Sequence, residues 1–377
     1  MRVQQIANFF DGWAPKFIQW ERDNTGLLVG RSQQEVTGVL LCLDVTGDAL
    51  ERAQKLKCNL VISHHPLIFF PMKKITPETD KTSDLIYKLI KNDTSLLSYH
   101  TNLDFTSDGV NHQTAKKLKI SDIKFLKPIS NKSLKLVTFV PKKDVGTLSE
   151  AIFGAGGGII GEYTNCSFTS EGTGTFTGSG NSNPTIGEKQ KFEKVDEVRL
   201  EVLINEGNRG KVIRALLEAH PYEEPAYDIY PLKSDETLYG QGVTGYLNSE
   251  MEESLFLKHI SECLNCDALR HSKLTGKQIK KVAVFGGSAS EHLEDAINAG
   301  CDAFITADVR YHTFQDAENR ILLVDAGHFE TEVPVLEEMK RRLENLFAGN
   351  GDKTEVYIFD GVSNPVNYYS YLERSPH

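Results

Sequence analysis

The chain has 377 residues, of which 40% are hydrophobic, and a formal net charge of -10 at pH 7. That length exceeds one ordinary core and predicts two or three domains. The acid excess argues against nucleic acid as the main partner and against an anionic membrane, because phosphate contact needs clustered Lys and Arg.

No apolar run reaches the roughly 20 residues that span a bilayer. The opening "MRVQQIANFFDGWAPKFIQWE" lacks a cationic segment followed by an apolar core, so it is not read as a signal peptide. The expectation is a cytoplasmic protein with no membrane partner. Its six cysteines are then reduced thiols. Cys263 and Cys266 form a single CxxC with no second pair, which reads as two half-buried helix cysteines.

In chain order, Gly38–Thr46 is β-rich and "GDALERAQKLK" has helical spacing. "CNLVISHHP" is a second strand, "DLIYKLIKND" a second helix and "SLLSYHTNLD" a third strand. Alternating β and α elements predict an α/β fold with a largely parallel sheet. Residues 128–235 break this pattern. They read as β-α-β-β-α-β with a Gly/Ser/Thr-rich stretch, the order of a ferredoxin-like (α+β) insert. Within it, "GGGIIG" (156–161) follows a helix rather than a strand and is taken as a backbone turn. "HPYEEP" (220–225) is either a ligand-sensing rim or a helix stop.

The α/β order then returns. "KKVAVFGGSASEHLEDAINAGCDAFITADVRYH" lies over "TGVLLCLDVTGDALERAQKLKCNLVISHHP", which sets Cys301-Asp302 on Cys58-Asn59. "RILLVDAGHFETEVPVLEEMKRRLE" lies over "SLLSYHTNLDFTSDGVNHQTAKKLK". The expected organisation is two similar α/β halves, 1–127 and 236–377, forming one domain interrupted by the insert.

Three strand ends carry metal-competent side chains. His64 and His65 are adjacent, so mid-strand they would point to opposite faces. At a strand that ends before Pro66 they can converge. "YHTNLD" supplies His100 and Asp104 at the end of the next strand, although alone it is an ordinary Asx-rich loop. "GHFETE" supplies His328 and Glu332, four apart and on one face if helical; Pro334 favours a first helical turn, which places His328 just before the helix. The same acids also fit simple helix-end capping. Open α/β sheets place ligands at the carboxyl ends of their strands. His64, His65, Asp104, His328 and Glu332 exceed the three protein ligands of many single-zinc sites and suit two ions bridged by a carboxylate and a water.

"DNTGLLVG", "CLDVT", "VISHHPLIF", "YHTNLD", "FITADVRYH" and "GHFETE" together resemble the Nif-three-like family of dinuclear-metal proteins, whose bacterial members are described as GTP cyclohydrolase 1 type 2 homologues. The resemblance covers essentially the whole chain. "GGIIGEYTNCSF" and "AHPYEEPAYDIY" resemble the PII/CutA-like insert of the longer members. It implies two divalent metal ions per subunit held by His64, His65, Asp104, His328 and Glu332, with zinc or iron first and Mn, Ni or Mg open. It also implies a toroidal homohexamer, a trimer of dimers with its metal sites facing inward. One departure is Ala307, where many members have Gly.

The expected activity is metal-dependent hydrolysis of a small-molecule substrate, with GTP or another nucleotide or phosphoester as candidate. Glu332 or His100 moves protons. The alternative is a non-enzymatic metal-binding, metallochaperone or regulatory hexamer with the insert as sensor or lid. His112 and His312 are either substrate contacts or proton carriers, or surface residues.

Overall fold

The computed structural model describes residues 1–129, 133–160, 163–232, 238–361 and 363–369. The chain divides into two compact units, Met1–Ile129 with Leu238–His377, and Ser130–Thr237.

The first unit holds two sheets. In one, Ser95–Ser98, Leu60–Ser63 and Gly38–Cys42 lie side by side in parallel. In the other, Leu322–Asp325, Ala303–Ala307 and Gln278–Ser288 repeat that arrangement. The duplication extends to the register: Val39 faces Leu60, and Val282 faces Ala303, the residues the two sequence halves set in line. The third strand differs. Leu60 faces Ser95 and Ala303 faces Leu322, so the counterpart of Ser95 is Leu322, two residues beyond the Arg320 that the bare strings align with it. A loop before a strand can absorb two residues, and because strand side chains alternate with a period of two the shift leaves each buried side chain on its own face.

The first-half strands Gly38–Cys42, Leu60–Ser63 and Ser95–Ser98 are buried along their whole length. Alternate residues serve two cores, as a strand covered on both faces requires. Leu40, Val61 and Leu96 pack on Leu50 and Leu85 from the helices Gly47–Lys55 and Lys81–Lys91. Those helices start on side-chain caps, Thr46 accepting from the amide of Ala49 and Asp80 from that of Ser83.

The opposite face explains how the halves become one body. Leu41, Ile62 and Leu97 pack against Leu336, Met339 and Leu343 of the helix Val335–Gly349, which belongs to the second half. Conversely, Ala115, at the end of the first-half helix Val110–Lys117, packs with Val282 and Val284 of the second sheet. Each half lends the helix after its third strand to the other half's sheet. The loops leading into those helices are therefore drawn together.

Two long strands outside the repeat, Ser121–Ile129 and Tyr239–Glu252, extend the second sheet in antiparallel fashion, with Ile129 facing Tyr239. The chain thus leaves this unit and re-enters it at paired positions, a geometry that tolerates an inserted segment. The CxxC is not two helix cysteines. Cys263 is on the helix Glu253–Leu264, but Asn265 turns left-handed at φ 56° and Cys266 lies buried beyond it.

The second unit is one antiparallel sheet in the order Ser167–Thr177, Phe192–Asn205, Ser133–Pro141, Tyr227–Pro231. The helices Val145–Gly154 and Arg209–Ala219 supply Leu148, Ile152, Val212 and Leu216 to its core. Gly156 and Gly158 adopt φ of 93° and 72° in a turn after the first helix, while Gly161 lies outside the described residues.

Candidate metal centre

The strand carrying the histidine pair ends at Ser63. The backbone keeps step with its neighbour for two more residues, the His64 amide donating to Cys42 and that of His65 to Leu43. Beyond them Pro66 has no amide to donate. Freed of strand geometry, the two rings turn to one side, with centroids 4.9 Å apart.

The next strand ends at Ser98 rather than running through "SLLSYHTNLD", and Thr101–Asp104 forms one helical turn. Asp23 causes this. Its carboxylate accepts from the amide and hydroxyl of Thr101, satisfying the start of the turn, and from His100 Nδ1 at 2.9 Å. The turn aims Asp104 at the histidine pair, its Oδ1 lying 3.5 Å from His64 Nε2.

From the second half, His328 and Glu332 both lie in the short helix His328–Glu332, which ends before Pro334; Pro334 caps the following helix. One helical turn brings His328 Nε2 to 3.1 Å from Glu332 Oε1. Glu332 Oε2 is 2.9 Å from His65 Nε2, and Oε1 is 3.8 Å from His64 Nε2. Two histidine-containing groups result: His64, His65 and His100, and His65, His328 and Glu332.

Each histidine is oriented through its other nitrogen. His64 Nδ1 meets the Tyr99 carbonyl at 2.9 Å, His65 Nδ1 meets Asp44 at 2.9 Å, and His328 Nδ1 meets Asp308 at 2.7 Å. With His100 on Asp23, all four rings present Nε2 to a common centre. That is the arrangement of metal-ligating histidines, whose second nitrogen is tied to a carboxylate or carbonyl. Asp23, Asp44 and Asp308 were not singled out from the sequence. "DNTG", "CLDVT" and "TADVRYH" each contain one of them, but nothing local says which histidine it faces.

The charges in this cluster are out of balance. Burial and the neighbouring Glu332 push the Asp104 carboxyl far up, towards its neutral form. Burial opposes ionisation of Glu332 too, but His64, His328 and His65 outweigh it and hold its pKa well down. Burial lowers the pKa of His64. It also works against charge on His65 and His328, yet Asp44 and Glu332 raise the first to about 10, and Glu332 and Asp308 raise the second to about 9.

The residues fit a metal on an observation of their own. His64 Nε2 and Asp104 Oδ1 are buried, 3.5 Å apart, without a hydrogen-bond partner among the described residues. Stranding two polar atoms in one spot costs about 1–3 kcal/mol each unless a cation meets them. The surroundings make room for the carboxylate. Gly287 has φ 67°, and its amide donates to Thr331 Oγ1. Gly286 donates to Asn111, which donates in turn to the Asp104 carbonyl. These bonds tie both site loops to one strand end.

Other candidates fall outside the cluster. Among the described residues His112 stacks edge-on with Phe125 at 4.8 Å, and burial lowers its pKa to about 4. His312 is exposed and bonds Gln315. Ala307 is buried at the end of its strand, next to Asp308.

A profile of the family described as Duf34/NIF3 (NGG1p interacting factor 3) matches residues 1–365. A Halalkalibacterium halodurans protein named GTP cyclohydrolase 1 type 2 homolog is 37% identical over 367 residues, covering 97% of this chain and 98% of that one. A Bacillus subtilis protein of the same name is 34% identical over 368 residues, with 97% and 98% covered. Among solved structures, a Bacillus cereus protein related to NIF3 superposes with a TM-score of 0.80 at 33% identity, covering 98% and 99% of the two chains.

Proposed function

This chain belongs to the Duf34/NIF3 family, and on that premise we propose that it is a dinuclear-metal protein acting as a metal-dependent hydrolase of a small molecule. The observation that carries the reading is the convergence of four histidines, Asp104 and Glu332, with the buried His64 Nε2 and Asp104 Oδ1 lacking a hydrogen-bond partner among the described residues. His64, His65, Asp104, His328 and Glu332 would hold two divalent ions, zinc or iron first. Glu332, facing both His65 and His328, would hold metal together with either histidine. When bound, such a pair lowers the pKa of a shared water and polarises the bond it attacks.

The chain's own residues do the rest. Asp44, Asp308 and the Tyr99 carbonyl keep their histidines in one orientation. His100, anchored by Asp23 through Nδ1, offers Nε2 to take up and return a proton. GTP is the first substrate to test, because the relatives carry that name. Other nucleotides and phosphoesters suit the same centre.

The toroidal homohexamer is part of this reading and rests on the resemblance; light scattering on the purified chain tests it. We also read the second unit as a PII/CutA-like insert, supported by its order of elements and strands.

Elemental analysis of purified protein tests the centre, and turnover of GTP and a phosphoester panel tests the activity. The expectation is two metals per chain, with His65→Ala losing both metal and turnover. One metal or fewer after loading would sink the dinuclear reading. A fully loaded but inert protein would leave metal binding as its function.

A further inference from the structure

A cleft of about 310 Å³ is lined by His65 and His328 from the cluster and by Asp44, Asp308, Arg270 and Tyr368. Its carboxylates are committed. Asp44 and Asp308 hold the two histidines, Glu330 accepts from Asn364, and Asp325 accepts from the amides of Val309 and Gly327.

Arg270 is not committed in this way. It sits on the two-residue edge strand Arg270–His271, opposite Asp325. Its Nη2 donates to Asp325, and its guanidinium lies 5.6 Å from the centre of the Phe314 ring. Among the described residues that is its one side-chain hydrogen bond, out of the five donors a guanidinium carries. The side chain is still 61% exposed. Arg270 is thus braced by a carboxylate and an aromatic ring, lines the same cleft as the metal-competent histidines, and keeps most of its donors free.

We propose that Arg270 binds an oxyanion group, phosphate or carboxylate, of the molecule that occupies this cleft, and so helps to decide which substrates the centre accepts. The inference rests on the metal-centre reading for what happens at the other end of the cleft. The planar fork matches two oxygens at once, which the point charge of a lysine does not. A ligand of that kind spans the cleft, with its anionic end on Arg270 and its reacting end at His65 and His328.

The test is calorimetric titration of the full chain with inorganic phosphate, and separately with acetate. It uses both metal-loaded and metal-stripped protein, with metal content read on the same samples. Arg270→Gln should weaken binding of the preferred anion about tenfold or more at unchanged metal content, and Arg270→Lys should fall between the two. Loss on the phosphate arm marks a phosphate-bearing substrate; loss on the acetate arm alone marks a carboxylate. Equal affinity of the wild type and Arg270→Gln for both anions, in both forms, would overturn the inference, as would a wild type that binds neither. Failure of metal to load counts against the metal-centre reading alone, because the arginine effect is also read without metal.

Discussion

Gly287 and Glu332 approach so closely that a Cβ at position 287 would lie 2.3 Å from Glu332 Oε1. The contact joins the end of the strand Gln278–Ser288 to the carboxylate that reaches His65 and His328. Gly287→Ala must move that carboxylate, and it also strains a backbone at φ 67°. We expect metal affinity to fall about ten- to a hundredfold, the scale on which disturbed ligand support is felt. Competition with a chromogenic chelator measures it, and unchanged affinity would refute the packing argument.

Asp44→Ala and Asp308→Ala each free one ring, His65 and His328 respectively. Each should weaken metal binding about tenfold or more without unfolding the protein. Circular dichroism and metal content, read together, separate loss of orientation from loss of fold.

Metal uptake should release protons. In the metal-free protein His65 and His328 titrate at about 10 and about 9, so both are charged at neutral pH, and burial beside Glu332 shifts the Asp104 carboxyl upwards. Ligation needs neutral imidazole and ionised carboxylate. Affinity should therefore climb as pH rises from neutrality towards 9 and 10 and level off above. Calorimetry in buffers of different ionisation enthalpy counts the protons; a count of zero at neutral pH contradicts these protonation states.

Asp23 is a stability test on another residue. Burial pushes its carboxyl up, but His100 and Thr101 overcome this and lower its pKa from 3.8 to about 2. A depressed carboxylate contributes stability above its unfolded pKa and loses it as pH falls through its folded one. Asp23→Asn should cost about 2 kcal/mol at neutral pH, and the gap from wild type should narrow from about pH 4 downwards. Urea unfolding along a pH series reads it, and a pH-independent gap would show that the contribution is not electrostatic.

Much of this molecule could be read along the chain because its signals are local. Strand and helix periods alternate twice, and the histidine pair stands before Pro66, where a strand must leave its ladder. The α/β class and the two similar halves follow from that pattern. Less legible was the one-turn helix at Thr101–Asp104, which the sequence presents as strand and loop. It forms because Asp23, far back in the chain, caps it. The pairing of His65 with Asp44, His100 with Asp23 and His328 with Asp308 was equally hidden.

By itself, then, the sequence determined which residue types stand at which strand ends, since backbone periodicity and proline act on near neighbours. Only the tertiary structure decided which of them meet. His64 and Glu332 share a centre because the helix Val335–Gly349 packs its Leu336, Met339 and Leu343 onto the sheet of the other half. That burial is a matter of apolar area between surfaces distant in sequence, and no spacing along the chain encodes it.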